Sequence, residues 1–104
     1  MALHSYTVIW IHLIWTTKNR ERVLMPKVRY RVHKHIIEYA NKNDISLETL
    51  NIQPEHVHCL LNLPSGKTIE NVVKLLKGES SHWINGKRLL SEHFSWQRGY
   101  GAFS

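Results

Sequence analysis

The chain has 104 residues, enough for one domain with a modest core, and 42% of them are apolar, which suits a globular protein. Fourteen Lys and Arg against eight Asp and Glu give a net charge of +6 with histidine neutral, so a polyanion is the expected partner and nucleic acid the first choice. No apolar run reaches the ~18–20 residues that span a bilayer, and a single cysteine, Cys59, excludes an intrachain disulfide and fits a reducing compartment.

The stretch Tyr6–Thr16 is rich in Val, Ile, Trp and Thr and predicts a strand. Ile9, Ile11, Leu13 and Trp15 share one face; Tyr6, Val8, Trp10, His12 and Ile14 share the other. Both sets are apolar enough to predict a central strand covered on both sides. His12 interrupts the run, and no small-residue cleavage site follows, so it reads as a buried strand rather than a signal peptide. Lys18–Met25 is a charged loop. Pro26 suits the first position of a helix, and Val28, Val32, Ile36 and Tyr39 or Ala40 recur at helical spacing. Asn41-Lys42-Asn43-Asp44 ends it. Ser46–Gln53 predicts a second strand, and Pro54-Glu55 turns it into a third.

Pro64-Ser65-Gly66-Lys67 is a turn. Thr68 can cap a second helix, whose apolar face is Ile69, Val72, Val73, Leu76, Trp83 and Ile84 and which stops at Asn85-Gly86. Lys87–His93 predicts a short helical turn. Phe94–Ser104 predicts a last strand, with Gly99 and Gly101 marking a bend. The order β-α-β-β-α-β predicts an α+β, ferredoxin-like (RRM-like) fold, an antiparallel sheet with both helices on one face, as one domain over residues 1–104. There are no repeats, low-complexity segments or linkers.

The third strand carries the chemistry. In Pro54-Glu55-His56-Val57-His58-Cys59-Leu60-Leu61-Asn62-Leu63-Pro64, residues two apart point to the same side. His56 and His58 then stand side by side, while Val57, Cys59, Leu61 and Leu63 face the core. Two neutral imidazoles on one rigid face make half a site for a divalent metal. The same spacing fits two histidines on a solvated face, since three to four ligands are normally needed. The fold puts the first strand beside the third, so His12 comes near the pair on a face the sequence leaves open. His12 and Gln97 are candidate further ligands, against a histidine satisfied within its strand and a glutamine bonded to backbone.

The positive charges cluster. Lys18, Arg20 and Arg22 lie within five residues; Lys27, Arg29, Arg31 and Lys34 follow; Lys74, Lys77, Lys87 and Arg88 form a second group. Lys74, Lys77 and Ser81 fall on one helical stripe, either a phosphate grip or a solvated face. Trp83 and Trp96 are expected in the core. Tyr30 and Tyr39 suit packing, and Tyr100 suits packing or base stacking.

Four blocks in order carry a resemblance: Thr16-Thr17-Lys18-Asn19-Arg20, Pro54-Glu55-His56-Val57-His58, Val73–Ser81, and Phe94–Ser104 with its Gly-Tyr-Gly-Ala-Phe-Ser end. Over nearly its whole length the chain resembles the single-tyrosine transposases of the HUH superfamily (U for a bulky apolar residue), the IS200-like insertion-sequence group and its REP-associated relatives. The resemblance implies a divalent cation, Mg²⁺ or Mn²⁺, on His56, His58 and a third polar side chain. It implies a tyrosine that attacks DNA to leave a 5′-phosphotyrosine and a free 3′-hydroxyl. It further implies a hairpin-marked single-stranded DNA partner, a homodimer, and a prokaryotic cytoplasmic location; Lys18, Arg20, Arg22, Lys74 and Lys77, from the basic clusters, are expected to contact the DNA phosphates. Of the family's catalytic set only His56 and His58 carry over. The family tyrosine lies on a helix beyond the last block, and the chain stops at Ser104, so the expectation is a domain cut before its nucleophile helix and catalytically incomplete. Tyr100 matches a non-nucleophilic position, and Glu55 stands where an aspartate is usual. The alternative is a non-catalytic DNA-binding remnant or regulator with the same fold; a metal protein without a DNA role is disfavoured by the basic clusters.

Overall fold

A computed structural model describes residues 9–104. Strand β1 is Trp10–Thr16, helix α1 Pro26–Lys42, strand β2 Ser46–Ile52, strand β3 His56–Asn62, helix α2 Ile69–Gly86 and strand β4 Gly101–Phe103; a single 3₁₀ turn, Lys18–Arg20, follows β1. The sheet order is β2-β3-β1-β4, with every neighbouring pair antiparallel. This is the expected α+β arrangement. Of the long first strand predicted, Tyr6–Val8 lies outside the described residues.

One face of the sheet makes the core. Ile11, Leu13 and Trp15 of β1 and Val57, Cys59 and Leu61 of β3 are buried against Val32, Ile36 and Ala40 of α1 and Val72, Val73, Leu76 and Ile84 of α2. Both helices form because their apolar residues recur at three and four, a stripe that only this face can cover. Pro26 opens α1. The Asn71 N–H donates to the Thr68 hydroxyl at 3.1 Å and caps α2.

The sequence reading of β1 as covered on both sides is corrected. Its second face carries Trp10, exposed, with His12, Ile14 and Thr16 half-buried. The two helices share the opposite face, so nothing among the described residues covers this one. The C-terminal reading is corrected as well. Residues 87–93 form turns and bends rather than a helical turn, and the last strand shrinks from Phe94–Ser104 to Gly101–Phe103. Phe94 and Trp96 turn inward and pack edge-on, with ring centres 4.7 Å apart, and only a single bridge joins Trp96 to Thr17. Gly99, at φ +86, redirects the chain into β4. Trp83 is half-buried, stacked on His35 at 4.0 Å.

Candidate metal and nucleic-acid site

The open face of the sheet gathers the histidines. In β3 burial alternates strictly: Val57, Cys59 and Leu61 are buried, and His56, His58, Leu60 and Asn62 are half-buried on the other side. In the register with β1, Thr16 faces His56, Ile14 faces His58 and His12 faces Leu60. Cross-strand partners point the same way, so His12 lies on the histidine face, diagonal to His58.

His12 Nδ1 and His58 Nε2 are 3.3 Å apart, and the ring centres are 5.5 Å apart with planes tilted by 20°. The centre separation exceeds the nitrogen separation by about one ring width. The nitrogens therefore point at each other along the line of centres. That is an N–H···N hydrogen bond, not face-to-face stacking.

His56 has a different partner. Its Nδ1 lies 2.8 Å from Glu55 Oε1, and the other carboxylate oxygen, Oε2, accepts from Arg22 at 2.9 Å. The hydrogen bond from His56, and then the Arg22, His56 and Arg20 charges, hold the Glu55 carboxyl below its ordinary range against a smaller opposing desolvation. A carboxylate only accepts, so the nitrogen facing it, Nδ1, carries a proton; in the neutral ring the Nε2 lone pair is then the free one.

The loop 17–22 is fastened beside this end of β3. The Thr17 N–H donates to the Glu55 carbonyl at 2.8 Å, and the Thr17 hydroxyl donates to the Glu21 carbonyl at 2.6 Å. The Leu24 N–H donates to the Pro54 carbonyl at 3.1 Å. Lys18 and Arg20, both exposed, follow closely on Thr16, the cross-strand partner of His56. Asn19 and Arg20 adopt φ of +56 and +55, a sparsely populated conformation stabilised by these ties.

The second basic group reaches the same neighbourhood through the segment after Phe94. The Lys77 ammonium donates to the Gln97 carbonyl at 2.8 Å and the Gly99 carbonyl at 2.7 Å. Desolvation lowers its pKa. Gln97 in turn accepts the Asn19 N–H at 2.9 Å through its side-chain oxygen, and its own N–H donates to the Thr16 carbonyl. Segment 95–99 thus lies between loop 17–22 and α2. Lys74 is exposed, while Lys77, Ser81, His82 and Arg98 line one groove of about 480 Å³.

Of the residues singled out from the sequence, His56, His58 and His12 come together on one face, and Arg22 stands two contacts from His56 through Glu55. Gln97 is engaged with Asn19. Among the described residues no three His, Cys, Asp or Glu side chains are grouped so as to hold a metal ion. The donor set fits such an ion in part: His56 offers a free nitrogen backed by a carboxylate, whereas the His58 Nε2 is engaged by His12. Sequence reasoning passed over Glu55 as a partner; its position beside His56, where a side chain can fold back one residue, was the available signal.

Comparison with known proteins places the fold. The ISDra2 transposase TnpA of Deinococcus radiodurans is 36% identical over 70 residues, 67% of this chain and 50% of that protein. The chain therefore spans about half the length of the curated relative it matches. The crystal structure of a candidate transposase from Deinococcus radiodurans R1 superposes with a TM-score of 0.89 at 27% identity, over 100% of this chain and 84% of that one. A REP-associated tyrosine transposase, solved bound to a REP hairpin, shares the fold with a TM-score of 0.63 at 20% identity, over 99% of this chain and 61% of that one. The family of IS200-like transposases matches residues 5–104, and with the histidine-bearing third strand of this antiparallel sheet, the chain belongs to that family.

Proposed function

We propose that residues 1–104 form one HUH-type transposase domain that binds hairpin-marked single-stranded DNA and supports its metal-assisted cleavage and rejoining. The observation that carries the reading is the placement of His56 and His58 side by side on the open face of β3, beside a basic loop. When bound there, Mg²⁺ or Mn²⁺ supplies a positive charge that polarises a phosphate and stabilises the charge developing in transfer. His56 would hold the ion through Nε2, and His58 would be the second ligand in place of its contact with His12. Lys18, Arg20, Arg22, Lys74 and Lys77 hold the DNA backbone and set its register without reading sequence. Arg22 has four guanidinium N–H groups left after its bond to Glu55, and Lys77 one ammonium hydrogen left after its two carbonyls. The attacking phenol is assigned to none of Tyr30, Tyr39 and Tyr100; Tyr6 lies outside the described residues.

A second reading, a DNA-binding regulator without catalysis, is favoured by one observation: no three metal-ligating side chains converge among the described residues. One experiment separates the two. The protein is incubated with labelled hairpin DNA and Mn²⁺ and then denatured. The proposal expects hairpin binding that weakens steeply between two salt concentrations, because counterions are released. It assigns the covalent link to none of Tyr30, Tyr39 and Tyr100, so any labelled protein band is expected to survive their replacement by phenylalanine. A covalent band that disappears in Tyr100→Phe overturns the nucleophile assignment. Binding without salt dependence overturns the DNA reading. Binding with no cleavage of the labelled DNA favours the regulator.

A further inference from the structure

We infer that Glu55, steadied by Arg22, is the positioning residue that sets the tautomer of His56 and so makes Nε2 its outward, metal-facing nitrogen. The inference rests on the metal reading of the site given above. Three observations support it. The Glu55 carboxylate spans two partners, His56 Nδ1 at 2.8 Å and Arg22 at 2.9 Å, one oxygen to each. The Glu55 side chain is only 17% exposed, so the bond to His56 is partly shielded from competing water. The Glu55 carbonyl also accepts the Thr17 N–H at 2.8 Å, which anchors the backbone from which the carboxylate folds back.

An isolated imidazole exchanges its proton between two nitrogens, and only one tautomer offers Nε2 as a ligand. A carboxylate on Nδ1 removes that choice and fixes the ring plane, as outer partners of metal-bound histidines do. Arg22 is 70% exposed, so its own attraction to Glu55 is screened and its role is orientation. His58 has no such carboxylate; its Nε2 meets His12 instead. The two histidines are therefore unequal, His56 preset for the ion and His58 recruited.

The test reads the ring nitrogens directly. ¹⁵N chemical shifts of His56 are measured in the metal-free protein at about pH 8, above the ordinary imidazole range. The expected result is the Nδ1–H tautomer in the unaltered protein, a mixture in Glu55→Ala, and recovery in Glu55→Asp. A smaller change is expected in Arg22→Ala. The Nε2–H tautomer in the unaltered protein overturns the inference without need of any variant, and so does a Glu55→Ala spectrum unchanged at His56. Mn²⁺ alone is then titrated, with a fall in affinity of about 10–100-fold expected for Glu55→Ala. Failure of the unaltered protein to bind Mn²⁺ overturns the metal reading of the site, while the tautomer measurement still decides what Glu55 does.

Discussion

At Cys59 the physics of a single side chain is plain. It lies on the core face of β3, fully buried, and burial pushes its thiol up to about 12, against a smaller opposing effect of the Leu13 backbone hydrogen bond. The reactive species is the thiolate, so Cys59 is expected to stay unmodified by a disulfide reagent at about pH 8 in the folded protein and to react once urea unfolds it. Rapid modification of the folded chain would contradict that burial. Two glycines make a second pair of expectations. Gly78 lies within α2 with open space where a Cβ would stand, so Gly78→Ala should stabilise by about 0.5–1 kcal/mol through helix propensity. Gly99 has equal space but a φ of +86, so Gly99→Ala should destabilise by about 1 kcal/mol. Urea titrations of the two variants measure the difference in sign. His56 and His58 were legible at this scale because a period of two needs no partner. The contacts of Glu55 and His12 were not, because each depends on which atom meets which ring nitrogen.

Helices α1 and α2 and strands β2 and β3 follow closely from local pattern. Val32, Ile36 and Ala40 are the buried stripe that the sequence predicts for α1, and Thr68 caps α2 as its position suggests. Thr68→Ala is expected to cost about 1 kcal/mol, and Thr68→Ser close to nothing, in thermal or urea unfolding. The C-terminal segment departs from its pattern. Phe94 and Trp96 both face the core, as strand alternation would have them, but the chain pairs there only through the Thr17–Trp96 bridge, and Lys77 holds the chain beyond them by two carbonyls. Lys77→Met should cost about 1–2 kcal/mol, allowing for partial exposure. It should raise amide exchange selectively over residues 97–100. Unchanged exchange there would mean that Gly99 and the core aromatics shape this segment without the lysine.

For the molecule as a whole, the open sheet face matters most. Trp10 and Phe103 are 43% and 58% exposed, with Ile14 of β1 and Leu60 of β3 half-buried on the same face. Sheet edges offer unpaired backbone groups. A β-bulge between Leu47 and Thr49 interrupts the β2 side. The opposite edge is the short β4, beside exposed Phe103. A homodimer joined along that edge is the expected assembly, because it would pair β4 and cover part of the apolar patch. Light scattering at micromolar concentration should give twice the 12.3 kDa chain mass, and Phe103→Asp should shift it toward monomer. A monomer in the unaltered protein would refute this assembly.

The sequence by itself determined the order of elements, the helix stripes, the cap at Thr68, the faces of β3 and a basic balance of charge. Each depends on backbone periodicity or composition, which act within a few residues of the chain. Only the tertiary structure decided which side of β1 stays open, since that follows from both helices packing on the other. It also decided that His12 meets His58 from 46 positions away, that Arg22 reaches Glu55 across 33, and that Lys77 closes on carbonyls 20 and 22 residues on. Such contacts are set by strand register and by which polar groups are left needing a partner. One shift in register would turn every side chain of a strand to the opposite face, and no local pattern in β1, apolar on both sides, distinguishes the two registers.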